Sequence, residues 1–260
     1  MKLRTFHFLL AAFLAVSLAT GASAQGLYWE MTTTVDGKDA KQTQFSYMPK
    51  KYKVEPNDGM LSILRLDQEK MLLVDVARKR YHEMTFSEME SMMKGVDAQM
   101  QEMEKQMDQL PPDQRKMMEE MMGKMHPKKE KKAIEVVKAG DTRTINGYHC
   151  TKYLLKRGGE QEGVIWATQD IGIPAATWKE MWKDMEEFGK RMAAMTPEGE
   201  ENLIEKSRSM IDGFPIQTEM KDKITMTVTK IEKRSIPGSA FEVPAGFTKE
   251  NPPVMKDGKE

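Results

Sequence analysis

Residues 80–93 read RYHEMTFSEMESMM, and the hydrophobic period changes within them. Up to Met84 the side chains alternate, as on a strand whose successive residues face opposite sides. From Thr85 onward the apolar positions fall three and four apart. Thr85 and Glu88 have the spacing of a capping box, and Met84 and Met89 that of a hydrophobic staple. A helix is therefore predicted to start near Phe86. Its apolar positions are Phe86, Met89, Met93, Val96, Met100, Met103, Met107 and Leu110, a heptad seam. Pro111-Pro112 stops it, after about 37 Å at a rise of about 1.5 Å per residue. Met117, Met118, Met121, Met122 and Met125 form a broader stripe beyond the prolines, so the pair reads as a helical hairpin with methionine on its inner faces.

Upstream, residues 27–84 read as short strands separated by turns. Leu27, Trp29, Met31, Thr33 and Val35 alternate with polar residues up to Asp36-Gly37. Thr43, Phe45 and Tyr47 continue the alternation until Pro49. Pro56-Asn57-Asp58-Gly59 forms another turn, and Met60–Leu66 and Met71–Val76 read as central strands. Downstream, strands are predicted over 134–138, 142–145, 148–156 and 164–168, with Asn146-Gly147 as the strongest hairpin signal. A second helical block begins at Thr177, with Glu180 completing a capping box. Trp178, Met181, Trp182, Met185, Phe188, Met192 and Met195 recur in it at helical spacing. Thr196-Pro197 restarts a helix with Leu203, Ile204, Met210 and Ile211 on its apolar side. Residues 216–220 and 224–231 form a last hairpin, and 241–247 is an extended apolar segment.

Helical blocks interrupt one run of strands, which makes this an α+β chain. The economical arrangement is a curved antiparallel sheet, an unclosed half-barrel, with methionine-rich helices covering its concave face. One domain is expected over 25–250, with helical insertions at about 86–125 and 175–211 and a disordered tail at 251–260.

The first 24 residues read as an address. Lys2 and Arg4 precede an apolar run from Phe8 to Val16, and Ala22-Ser23-Ala24 is a small-residue cleavage site. Cleavage after Ala24 and delivery to a Gram-negative periplasm are expected. The single Cys, Cys150, excludes an internal disulfide and reads as a buried core thiol. Lys and Arg number 40, as do Asp and Glu, a balance that argues against a nucleic-acid partner.

The sequence has no nucleophile elbow, zinc-protease motif, phosphate loop or dinucleotide fingerprint. His149 and Cys150 are neighbours on a predicted strand, so they face opposite sides and form no catalytic pair. The chain is read as a non-enzyme without a cofactor.

The 25 methionines outnumber the 9 Phe, 6 Tyr and 4 Trp together, and twelve of them fall between 84 and 125. Their first reading is a helix core. Methionine is also soft and adaptable, which suits an apolar ligand of variable shape. In that reading a groove is lined by Trp29 and Met31 from the sheet and by Met89, Met93, Met100, Met103, Met181, Trp182 and Met185 from the helices. The ligand would be a lipid or another apolar small molecule, and the protein a monomer with a transient membrane or protein partner. One alternative is Cu(I) held by the thioethers of Met118 and Met122 with His126. Another is a partner protein docked on the methionine hairpin. The run from Lys128 to Lys132 reads as a solvated loop.

A resemblance joins several of these stretches. They are Tyr28-Trp29-Glu30-Met31, Met71-Leu72-Leu73-Val74-Asp75, Arg80-Tyr81-His82-Glu83-Met84 and Ile165-Trp166-Ala167. The most specific is Thr144-Ile145-Asn146-Gly147-Tyr148-His149-Cys150-Thr151-Lys152-Tyr153. From about Leu27 to Phe247 the chain resembles the periplasmic domain-of-unknown-function family DUF4412. That family is similar in architecture to the lipoprotein-carrier superfamily, in which helices plug the concave face of an unclosed barrel and acyl chains bind beneath them. The resemblance implies that fold and an apolar ligand, and no catalytic residue. The carriers place a helix before their first strand, whereas here a strand comes first.

Overall fold

The computed structural model describes residues 24–251 except 109, 112, 116, 118–131 and 194–202. Residues 1–23 and the last nine residues lie outside the described residues, as do Met118, Met122 and His126 of the copper reading.

Twelve strands make one sheet. They are β1 (Ala24–Val35), β2 (Lys38–Met48), β3 (Lys51–Pro56), β4 (Met60–Arg65), β5 (Lys70–Asp75), β6 (Arg80–Thr85), β7 (Ile134–Ile145), β8 (Tyr148–Arg157), β9 (Glu160–Thr168), β10 (Phe214–Met220), β11 (Ile224–Ile236) and β12 (Thr248–Glu250). The order across the sheet is β12-β6-β5-β4-β3-β2-β1-β11-β10-β9-β8-β7. The first and last β-hairpin blocks thus join through β1 and β11, where Trp29 pairs with Ile231. Among the described residues β12 and β7 are the two edges, and the sheet is not closed into a barrel.

Tight turns set the registers. Asp36 and Gly37 have φ of 52° and 71°, and Asn146 and Gly147 have 48° and 85°. These are the left-handed pairs that two-residue hairpins require. Register shifts between Glu30 and Met31, Pro215 and Gln217, and Lys138 and Thr142 mark bulges. Bulges bend strands and raise their twist, which lets the sheet curl. The last of them merges the two strands expected at 134–138 and 142–145 into the single β7.

Three helices bear on the site: α1 (Phe86–Asp108), α2 (Ala175–Ala193) and α3 (Leu203–Arg208). The start of α1 is the expected capping box. Glu88 Oε2 accepts from the Thr85 N–H at 2.7 Å, and Thr85 Oγ1 accepts from the Glu88 N–H at 3.1 Å. The second box does not form. Helix α2 begins at Ala175, directly after Pro174, so Thr177 is already inside the helix and its N–H donates to the Pro174 carbonyl.

Helix α2 lies on the concave face. Trp178, Met181 and Trp182 share a buried cluster with Leu27 and Trp29 of β1, Tyr47 of β2, Phe214 and Ile216 of β10 and Val228 of β11. Only a curved sheet brings side chains from strands so far apart around one helix. Helix α1 meets the sheet through its first turns. Phe86 and Met89 are buried with Leu64, and Met185, Phe188 and Met192 of α2 pack on them.

The chain's end holds two features that were not expected. Residues Gly238–Phe241 form a 3-10 turn just ahead of the segment expected to be extended over 241–247, and its last residue, Phe241, is fully buried. β12 then pairs parallel to β6, Lys249 opposite Tyr81, so the sheet is not antiparallel throughout. Three residues carry too little alternation to announce a strand.

Candidate functional site

The concave face retains a narrow cleft beside α2. Alternation along β1 puts Trp29 and Met31 on one face. Their cross-strand neighbours Phe45 of β2 and Val228 of β11 share it. Tyr52 of β3, Phe214 and Ile216 of β10, Ile165 of β9 and Met226 of β11 complete the floor. Trp182 of α2 and Ile204, Ser207 and Arg208 of α3 form the opposite wall.

The floor is an aromatic box. Trp29 stacks on Phe45 with centroids 4.8 Å apart and planes within 2°. Tyr52 and Phe214 flank Trp29 at 5.8 and 6.1 Å, and Trp182 meets Phe214 at 5.5 Å. Such ring contacts contribute roughly 0.5–1.5 kcal/mol each beyond area burial. The room left for water-sized occupants is only about 40 Å³. A free volume of this size holds one or two small groups, not an acyl chain.

One wall of the cleft carries a cation, Arg208. The Arg208 guanidinium carbon stands 4.8 Å from the centre of the Trp182 ring. The buried Arg208 Nε and Trp182 Nε1 have no hydrogen-bond acceptor among the described residues. Loss of solvent pushes the Tyr52 phenol up to about 12, and Arg208 opposes that shift.

The sequence-predicted lining separates into three groups. Trp29, Met31 and Trp182 line the cleft. Met181 is fully buried in the adjoining core, and Met89 and Met185 pack in the neighbouring cluster around Phe86. Met103 is 45% exposed on α1 and takes no part in the cleft. Met93 and Met100 lie on α1, and their side chains are outside the described residues. Sequence reasoning did not pick out Phe45, Tyr52, Phe214 or Arg208. Strand parity across from Trp29 would have indicated Phe45; Arg208 ends a six-residue helix whose apolar pattern points to Leu203 and Ile204, not to a charged residue.

Elsewhere, His149 is exposed and Cys150 buried, on opposite faces of β8 as expected. Burial pushes the Cys150 thiol up, which keeps it protonated and unreactive. Tyr148, His149, Tyr153, Asp170 and Asp212 border a shallow polar depression of about 380 Å³. Among the described residues no three His, Cys, Asp or Glu side chains group as a metal site. None of the described helices is long and apolar enough to cross a membrane.

Residues 68–247 match the family described as Domain of unknown function (DUF4412). The chain belongs to this family. No curated protein matches it. Among solved structures, PNGF-II is similar with a TM-score of 0.38 and 9% identity, over 88% of this chain and 31% of that one. The complex of MucB with MucA(peri) gives 0.36 and 6%, over 85% and 55%. The Pseudomonas aeruginosa MucA/MucB complex gives 0.37 and 6%, over 86% and 57%. The chain thus spans about a third of the first and just over half of the other two.

Proposed function

We propose that this DUF4412 protein is an exported, non-enzymatic binding protein of the periplasm that docks an apolar segment of a partner protein on helix α1. The observation that carries this reading is the exposure of the helix. Among the described side chains of α1 only Phe86 and Met89 are buried, while Met92 and Met103 are 43% and 45% exposed and Met117, beyond the helix, is 70% exposed. Methionine on a protruding helix offers a soft surface that adapts to apolar partners. The leader-like first 24 residues support export, and the absence of catalytic motifs supports a binding role.

The test incorporates a photoreactive methionine analogue and cross-links in the periplasm. A defined protein adduct at Met92 or Met103 is expected, and it should disappear in the Met92→Gln, Met103→Gln double variant. An adduct unchanged in that variant, or cross-links only within the chain, would overturn the reading.

A second reading is favoured by a separate observation. The aromatic cleft beneath α2 supports an apolar, lipid-type ligand, in keeping with the architecture resembling the lipoprotein carriers. The cleft is nearly filled, so the ligand's tail would have to lie along the sheet by the partly buried Met31 and Met226. Native mass spectrometry with lipid extraction tests this. A protein that emerges ligand-free and takes up no fluorescent fatty acid would remove it.

A further inference from the structure

The cleft carries a chemical feature that an apolar site alone does not need. Arg208 stands over Trp182 with a buried Nε that has no acceptor, and the Trp182 N–H, on a side chain 8% exposed, also has none among the described residues. Trp166 and Trp178 share the unpartnered N–H. All three rings carry a cation over them, and Trp182 differs in lining the cleft, together with its cation Arg208. A buried donor left without an acceptor is destabilising, and here two such donors belong to one contact pair.

No carboxylate among the described residues pairs with Arg208; its described contacts are the Trp182 ring and the field it exerts on Tyr52. A cation facing an aromatic box, with no counter-anion among the described residues, is suited to an anion that arrives with an apolar body. We infer that the cleft binds a carboxylate-headed amphiphile, the head accepting from Arg208 and Trp182 and the tail lying over Trp29 and Phe45 toward Met31 and Met226. The two oxygens of a carboxylate match the two donors, and the head alone fits the free room of about 40 Å³. The inference rests on the ligand reading of the cleft and adds the head group to it.

The test compares dodecanoate with dodecanol by calorimetry on the mature chain. Dodecanoate is expected to bind at least about ten-fold more tightly, as a charge-assisted hydrogen bond warrants. Arg208→Gln should erase that preference by weakening dodecanoate far more than dodecanol, and Trp182→Phe should reduce it several-fold. Circular dichroism melting establishes that each variant is folded, and Arg208→Lys, which keeps the charge, should retain part of the preference. Equal affinities for acid and alcohol would overturn the head-group assignment and leave the apolar-ligand reading intact. Tighter binding of dodecyl phosphate than of dodecanoate would also overturn the carboxylate assignment. Binding of none of the three would remove both.

Discussion

The Tyr47 hydroxyl on β2 donates to the Asp184 carboxylate on α2 at 2.9 Å, between residues 137 apart in sequence and both almost fully buried. Asp184 also accepts from the Lys50 backbone N–H at 3.0 Å and from Lys50 Nζ at 2.8 Å. One carboxylate therefore fastens the helix that fills the concave face to the β2–β3 turn. Replacing it strands the Tyr47 hydroxyl and the Lys50 N–H without an acceptor. Asp184→Ala is expected to cost about 3 kcal/mol. Tyr47→Phe, which leaves Asp184 its two lysine contacts, should cost about 1 kcal/mol. Urea unfolding midpoints check both, and an Asp184→Ala protein as stable as the parent would contradict this role.

The same contact gives the fold an alkaline limit. Burial, with the Asp184 charge adding to it, raises the Tyr47 phenol well above its ordinary value of 10.0. Tyr28 and Tyr52 are pushed up to about 12. A raised folded-state value means the folded chain holds its proton when the unfolded chain has lost it. The stabilisation is thus complete below pH 10 and declines as pH rises from there toward the folded values. Stability should fall above about pH 10, with a shallower slope in Tyr47→Phe. Denaturant midpoints between pH 9 and 11 measure the slope, and identical slopes in the two proteins would exclude Tyr47 as its source.

The period change at Thr85 located the start of α1, because capping is chemistry among neighbours and needs no tertiary context. Hairpins around Asp36-Gly37 and Asn146-Gly147 were legible for the same reason. What α1 buries was not legible. A heptad seam states which residues share a face, and not whether a partner covers that face, so Met103 reads the same exposed or buried. The cleft was half legible. Trp29, Met31 and Trp182 stand out as large apolar residues on patterned elements, whereas Phe45 depends on cross-strand register and Arg208 on a short helix placed by tertiary packing. The parallel β12 depends wholly on long-range pairing with β6.

Close approach between β9 and β10 makes Gly163 intolerant of a side chain. A Cβ there would lie 2.6 Å from the Glu219 carbonyl oxygen and 3.0 Å from the Met220 sulfur. The sulfur can swing away, but the backbone carbonyl cannot without disturbing the pairing of Glu219 with Val164. Gly163→Ala is expected to destabilise by about 1–3 kcal/mol, seen as a lowered melting temperature. Gly95 on α1 has no neighbour near its Cβ position. Gly95→Ala should therefore stabilise, by somewhat under 1 kcal/mol. Equal effects of the two substitutions would mean that packing at Gly163 is looser than this geometry.

Methionine exposure divides along α1 and α2 in a way that oxidation can read. Met92, Met103 and Met117 present 43%, 45% and 70% of their surface to solvent, whereas Met89 and Met181 present 5% and none. Sulfoxide formation needs oxidant at the sulfur, so dilute peroxide should modify the first three well before the last two. Peptide mapping by mass spectrometry over a time course gives the order. Because the exposed sulfurs support little packing, their oxidation should leave the melting temperature nearly unchanged. Later oxidation of Met181 would place a polar group in the core beside Trp178 and Trp182 and should unfold the chain. If docking on α1 is the function, early oxidation of Met92 and Met103 should abolish the photo-cross-linked adduct while the protein is still folded. Early modification of Met89 together with Met92 would instead show that the first turn of α1 does not stay seated on Leu64 and Phe188.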